Sequence, residues 1–286
     1  MRNKYLSTVA GAALLAVGGA GVAQAEPSYG FANFQVTSFG LSGLTASGVS
    51  VTSSLVQLRS SAGYPGGTPQ INNVIGDTTH GGDSGQATSG PGPFPAGDTF
   101  TQALNTLVAP NGGTRGQANI VGAIGGGASL NDVAEGILTL PSGTATSTAG
   151  TSTGINLTVS VASTTVFSLT FSAADFVQAT TTNTGDGASA ETNASFTVTG
   201  GSTAIIYAPV PLNLNVTASG VNDSQSITSA AAAYGITFTL SSGVYQFSIL
   251  SGTQEQVNTN APEPVSIALL GTGLVGLGIA RRRRRK

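Results

Sequence analysis

The heptapeptide TVFSLTF, residues 165–171, decides the fold of this chain. Its apolar Phe167, Leu169 and Phe171 alternate with serine and threonine. Successive side chains of a β-strand point to opposite faces of a sheet, so this period of two predicts a strand with one buried and one solvated face. Val166 is the one apolar residue on the expected outer face.

The same alternation recurs through the second half of the chain. Glycine-containing turns such as 184–187 and 219–220 separate the alternating runs. Short alternating runs rich in Val, Thr and Phe are typical of all-β proteins. We therefore predict an antiparallel β-sandwich, open or jelly-roll-like, with long Gly/Ser/Thr-rich loops. The alternating apolar positions are Leu157, Val159, Val161, Phe196, Val198, Leu212, Leu214, Val216, Ile236, Phe238, Leu240, Tyr245, Phe247 and Ile249.

The half before Pro141 shows a weaker pattern. Gly, Pro, Asn and Ser dominate 60–97, which we expect to form a long loop, and 142–154 is predicted to be a loop or a connection. Asp98 is placed to cap a short helix carrying Phe100 and Leu104. The predicted strands of this half lie at 34–36, 49–58, 120–124 and 137–140. Residues 26–260 fit one exported β-rich domain, with two smaller sheets joined near 142–154 as the alternative.

The first 25 residues have the form of a signal peptide. Arg2 and Lys4 supply a positive start, and 6–22 is a small apolar core. Ala23 and Ala25 form an A-x-A cleavage site, so Glu26 is the expected mature N-terminus. The predicted partners at this stage are the Sec export machinery and signal peptidase.

The last 25 residues have three parts. Pro262, Glu263 and Pro264 form a rigid break, because proline fixes φ and lacks a backbone donor. The uncharged segment 265–280 would span about 24 Å as a helix, a little less than a hydrocarbon core of ~30 Å. Six cations follow and favour the cytoplasmic side of a membrane. They are Arg281, Arg282, Arg283, Arg284, Arg285 and Lys286.

This order of parts resembles the PEP-CTERM sorting signal of Gram-negative bacteria, over residues 261–286 only. The resemblance implies recognition by exosortase, a membrane-embedded cysteine transpeptidase that cleaves near the Pro-Glu-Pro tripeptide. It also implies a protein that is anchored in the inner membrane before processing. Afterwards the protein would reach the cell surface or the extracellular matrix, in organisms that make exopolysaccharide and biofilm. A plain C-terminal membrane anchor is the alternative.

Between the two terminal signals the chain is acidic. Residues 26–262 contain two cations, Arg59 and Arg115, and eleven carboxylates, a formal charge of −9. Nucleic-acid binding needs clustered Lys and Arg, so this composition excludes it. The chain has no cysteine, which excludes disulfides and thiolate metal sites.

One motif resembles a catalytic loop. Gly82-Asp83-Ser84-Gly85 is similar to the nucleophile loop of trypsin-like serine proteases. The required base would have to be His80, the one histidine of the chain. In that family the base lies far upstream of the nucleophilic serine, whereas His80 is only four residues before Ser84, within a glycine-rich stretch. We interpret 80–85 as a polar surface loop and assign no catalytic residue.

Calcium is the one cofactor that the sequence leaves open, because it needs only oxygen ligands. Asp77 with Asp83, and Asp132 with Glu135, are the near pairs, and neither spacing fits an EF-hand. Isolated solvated carboxylates are the simpler interpretation, with no metal and no catalytic residue.

The expected function is therefore that of an exported structural protein, not an enzyme. It would be associated with exopolysaccharide. A secreted hydrolase with an unrecognised site and a calcium- or glycan-binding β-module are the alternatives.

Overall fold

The computed structural model describes residues 27–65, 69–76, 83–89, 112–122, 127–138 and 143–261. Within these ranges the chain forms strands and one short 3-10 turn at Val210–Leu212, with no α-helix. The strands are β1 (Ser28–Ser42), β2 (Val49–Gly63), β3 (Gln70–Gly76), β4 (Asp83–Ser89), β5 (Gly113–Val121), β6 (Ala128–Leu138), β7 (Gly143–Val161), β8 (Thr165–Thr181), β9 (Gly187–Gly200), β10 (Thr203–Tyr207), β11 (Asn215–Ser219), β12 (Asp223–Leu240) and β13 (Gly243–Ala261).

The strands form two antiparallel sheets. Sheet A has the order β12-β8-β1-β6-β5-β4, and sheet B has the order β10-β9-β13-β7-β2-β3, with β11 also paired to β9. Each sheet combines strands from before and after residue 142, so the two halves of the chain do not form separate sheets. The prediction of an all-β, antiparallel chain is confirmed.

Aromatic side chains from both sheets meet in the larger apolar cluster. The ring of Phe167 on β8 lies 5.4 Å from the ring of Phe247 on β13. Phe196 on β9 is 5.8 Å from Phe238 on β12. Such tilted rings between the sheets add to the stabilisation that apolar burial provides.

The segment 165–171 forms the start of β8 as predicted. Phe167 and Leu169 are fully buried, and Phe171 is partly buried against the same cluster. On the other face Thr170 is exposed, and Val166 is 58% exposed. The period of two therefore assigns the faces of this strand correctly.

Two predicted loops are strands. Residues 142–154 were predicted as a loop or connection, but Gly143–Val161 is strand β7, paired along its length with β13. The segment 60–97 was predicted as one long loop, yet it contains the end of β2, all of β3 and all of β4. In the first part of β7, up to Thr153, the buried positions are occupied by Ser147, Ala149, Thr151 and Thr153. Because most of these side chains are polar, the apolar period that indicates a strand is missing.

The other predictions for the first half are partly right. The predicted strands at 34–36 and 49–58 lie within β1 and β2, and those at 120–124 and 137–140 overlap the ends of β5 and β6. Leu212 belongs to the 3-10 turn, and β11 begins only at Asn215. The helix predicted after Asp98, the signal peptide and the segment 262–286 lie outside the described residues. Among the described residues no helix is long and apolar enough to cross a membrane.

Phe167→Ala should test the shared apolar cluster directly. Removing a fully buried phenyl ring typically costs about 3–5 kcal/mol, so the free energy of unfolding should fall by that amount. Thr170→Ala, three residues along the same strand and exposed, should change it by less than about 0.5 kcal/mol. Urea denaturation followed by circular dichroism measures both. Equal effects of the two substitutions would contradict this placement of the core.

Candidate functional site

Most charged side chains that the structure describes are buried. The buried ones are Arg115, Asp132, Glu135, Asp175, Asp186 and Glu255, whereas Arg59 is exposed and Glu191 and Asp223 are intermediate. Isolated charges are costly to bury, so each needs partners or must become neutral. Asp186 lies in the turn between β8 and β9 and accepts a hydrogen bond from Ser28 Oγ over 2.9 Å. The other five groups form two sets, one on each face of sheet A.

The first set lies on the outer face of sheet A, the face turned away from sheet B. Arg115 on β5 stands opposite Glu135 on β6, which stands opposite Phe31 on β1. Residues directly opposite in a ladder share a face. Phe31 clusters with Tyr29 and Phe176, apart from the cluster between the sheets. We call Arg115, Glu135, Tyr29 and Gln117 the outer-face cluster.

Hydrogen bonds join the outer-face cluster tightly. Arg115 Nε donates to Glu135 Oε2 over 2.7 Å, and both side chains are fully buried. Tyr29 Oη donates to Glu135 Oε1 over 2.7 Å. Arg115 Nη1 donates to Gln117 Oε1 over 2.9 Å. Burial, and then the charge of Glu135, raise the pKa of the Tyr29 hydroxyl, which therefore remains a donor.

The second set lies between the sheets and joins them. Asp132 on β6 accepts a hydrogen bond from Thr153 Oγ1 on β7 at 2.8 Å and one from Ser251 Oγ on β13 at 2.6 Å. Asp175 on β8 accepts one from Thr192 Oγ1 on β9 at 2.8 Å. In each case the carboxylate belongs to sheet A and the hydroxyl to sheet B. We call these contacts the carboxylate–hydroxyl clasps.

The electrostatics of Asp132 follow from its burial. Loss of water raises the pKa of Asp132 to about 6, although hydrogen bonds from Ser251, Thr153 and Thr151 lower it. Burial also raises the pKa of Asp175 against the hydrogen bond from Thr192. A desolvated carboxyl favours its neutral form unless donors compensate fully.

Glu255 on β13 is the least satisfied acid of the described core. Its carboxyl is fully buried, and within the part of the chain that the structure describes neither oxygen accepts a hydrogen bond. Burial, and then the charge of Glu135, raise its pKa well above the ordinary value, while the nearby Ala149 amide opposes the shift. Glu255 therefore keeps its proton to a higher pH than an exposed glutamate does.

Two glycines of sheet A make room for the Glu255 carboxyl. A Cβ atom at Gly136 would collide with both carboxyl oxygens, and one at Gly30 would lie 3.1 Å from Oε2. Side chains at these positions would occupy the space that Glu255 fills. The carboxyl therefore packs directly on the backbone of β1 and β6.

A small apolar cavity opens beside the clasps. Its volume is about 30 Å³, which is room for one or two water-sized molecules. Its walls include Phe34, Phe39, Leu130, Phe196, Tyr207 and Ser251. Because Ser251 donates to Asp132, its hydroxyl already has an acceptor.

The near pair Asp132 and Glu135 is split by the fold. Asp132 points between the sheets, whereas Glu135 belongs to the outer-face cluster. Their separation of three residues along a strand places them on opposite faces, so they do not share one ion. Within the described residues no group of three or more acids or histidines converges as a metal site would require.

Other predicted positions lie elsewhere. Asp83, Ser84 and Gly85 belong to strand β4, so the prediction of a polar loop over 80–85 is wrong for these three residues. His80 and Asp77 lie outside the described residues. So do the predicted processing residues Ala23, Ala25, Pro262, Glu263, Pro264 and Arg281 to Arg285.

Neither Arg115 nor Glu255 was predicted from the sequence as a site residue. The sequence does set Arg115 apart, because it is one of two cations in residues 26–262 and its neighbours in the segment GTRGQAN are uncharged.

No family model, no curated protein and no solved structure matches this chain.

The pKa values predict how stability depends on pH. Asp132 and Glu255 have folded-state pKa values above their unfolded values of about 4, so the folded protein binds more protons. Stability should therefore be highest near pH 4 and should fall as the pH rises through the folded values. For Asp132 the loss is about 3 kcal/mol once the pH exceeds 6.

Glu255→Gln tests this dependence. The amide cannot ionise, so the variant should lose less stability than the wild type between pH 4.5 and 8. Urea midpoints at several pH values measure the difference. Glu191→Gln, at a partly exposed position of β9, serves as the matched control and should keep the wild-type slope. A Glu255→Gln variant with an unchanged slope would show that Glu255 does not carry this effect.

Proposed function

We propose that this chain is an exported structural protein of the cell surface or extracellular matrix, associated with exopolysaccharide or biofilm. In this proposal the two sheets pack face to face as a β-sandwich, flanked by a cleaved signal peptide and a transmembrane sorting helix. Aromatic contacts across the sheets, such as Phe167 with Phe247, support the sandwich.

The observation that carries the proposal is the use of the buried acids. Asp132 and Asp175 bind hydroxyls of the opposite sheet, and Glu135 binds Arg115 and Tyr29. Acid–base catalysis needs a carboxyl within hydrogen-bond reach of a substrate. These carboxyls instead contact the protein itself, so their chemistry stabilises the fold.

The position of the acids also disfavours a glycosidase pair. Such enzymes place two carboxyls on either side of one scissile bond. Glu135 lies on the outer face of sheet A, whereas Glu255 and Asp132 lie between the sheets. The backbone of sheet A separates Glu135 from the other two, and Asp132 already accepts hydrogen bonds from Thr153 and Ser251. This arrangement fits a structural role better than the hydrolase alternative.

The proposed route begins at the termini. The Sec machinery would export the chain, and signal peptidase would cleave after Ala25, which leaves Glu26 as the N-terminus. Residues 265–280 would hold the chain in the inner membrane, with Arg281 to Lys286 in the cytoplasm. Exosortase would then cleave near Pro262 to Pro264 and release the β-domain to the surface or matrix.

Intact-mass measurement of the surface protein tests this route. The mature chain should begin at Glu26 and end at or near Pro262 to Pro264. Replacing all of Arg281 to Arg285 with Ala should abolish processing, because the charge bias that orients the helix is lost. A surface protein that retains Lys286 would support the plain anchor instead.

A complementation experiment tests the structural role. Cells that lack the protein should form a weaker matrix, measured by rheology of the biofilm. A Glu255→Gln chain should restore the matrix fully, since an uncharged amide of nearly the same shape and size replaces the buried carboxyl. Phe167→Ala serves as the unstable comparison and should restore it poorly. Failure of a folded, correctly processed Glu255→Gln chain would favour an enzymatic role for that carboxyl.

A further inference from the structure

Strand β12 forms one end of sheet A. Among the described strands its backbone ladder pairs only with β8, along Asp223–Leu240. Eighteen residues at about 3.3 Å each give an edge of roughly 60 Å. Every second N–H and C=O of such an edge points away from the sheet.

The usual protections of an edge strand are few here. Natural edges are kept short or carry lysine, proline or a bulge. From Ser224 to Leu240 the chain has no charged residue and no proline. β12 has one bulge, between Ser229 and Ala232.

One amide of this edge is already bonded. The N–H of Gly235 donates to the hydroxyl of Tyr207 on β10 over 3.2 Å. A single side chain therefore protects one position of a strand that is eighteen residues long.

The inner face of β12 is incompletely covered. Ile227 is 43% exposed, although it stands opposite Val177, which is fully buried. Tyr234 and Ile236 are only partly buried. The edge strands of sheet B on this side, β10 and β11, have five residues each and leave part of β12 uncovered. An added strand would bury this apolar surface and bond the outward amides together.

We propose that β12 pairs antiparallel with β12 of a second copy of this chain across a two-fold axis. Two identical edges related by a two-fold axis are self-complementary. The pairing would join two copies of sheet A into one continuous sheet. This inference rests on the edge alone and holds whether or not the chain is a matrix protein.

The charge along the strand favours a second copy in this orientation. Asp223 is the only charged residue of β12 and stands at its start. Antiparallel pairing places the two Asp223 side chains at opposite ends, whereas parallel pairing would bring them together. Near the middle, Ala230 to Ala233 are small and uncharged. The remaining negative charge of the domain opposes association, so added salt should strengthen the dimer.

Sedimentation of the full chain, in mild detergent that isolates its apolar C-terminal segment, measures this association. The wild type should sediment as a dimer. Ser226→Lys/Ala233→Lys, which adds like charges along the edge, should dissociate at least about tenfold more readily. Gln57→Lys/Gln254→Lys adds the same charge on exposed positions of sheet B and should remain a dimer. Circular dichroism confirms that each variant is folded.

Cysteine cross-linking locates the contact, because the chain has no cysteine of its own. Cysteine is placed singly at 230, 231, 232 and 233, and at least one variant should oxidise to a covalent dimer. A disulfide requires Cα atoms within about 7 Å, so this result identifies residues near the axis. Gln57→Cys should remain uncross-linked. A monomeric wild type, equal effects of the two lysine pairs, or no cross-link along 230–233 would each overturn the proposal.

Discussion

The hydrogen bonds that Asp132 accepts from Thr153 and Ser251 are the constraint on which the packing of the two sheets depends. A carboxylate of sheet A is buried, so hydroxyls of sheet B must meet it at a fixed register. Removing one partner of such a contact leaves a buried polar group unsatisfied, at a cost of about 1–3 kcal/mol. A purely apolar interface would tolerate a shift of one sheet over the other more readily. The clasps therefore add specificity to the stabilisation that the aromatic cluster provides.

The same contacts explain which parts of the fold could be predicted from the sequence. In β8 the buried residues Phe167 and Leu169 are apolar, and the period of two is visible. In β7 the buried residues at the corresponding positions include Thr151 and Thr153, and the sequence resembles a polar loop. Propensity and hydrophobic pattern do not distinguish a threonine that is solvated from one that binds a buried carboxylate. That distinction depends on a partner more than 20 residues away, as with Thr153 and Asp132.

The candidate site was predictable only in outline. The pair Asp132 and Glu135 is evident in the sequence. Once β6 was recognised as a strand, strand geometry alone would have placed the two carboxyls on opposite faces of the sheet. The role of Glu255 was not predictable, because its burial requires two glycines, Gly30 and Gly136, from strands distant in sequence. Arg115 is conspicuous as one of two cations in the acidic body. Its partner Glu135 could not be identified before the pairing of β5 with β6 was known.

The distribution of charge links the fold to the proposed role. Arg115 and five carboxylates are buried, so among the described side chains the surface carries few charges and is mainly uncharged polar and apolar. Like-charge repulsion between surfaces acts over about a Debye length, roughly 8–10 Å at moderate salt. A domain that places its ions inside and its hydroxyls outside reduces that repulsion, at the cost of desolvating each buried ion. Reduced repulsion would allow close packing of neighbouring domains, as the proposed matrix role implies. The edge of β12 is uncharged from Ser224 to Leu240. Two such domains can therefore approach there without the need to pair charges of opposite sign.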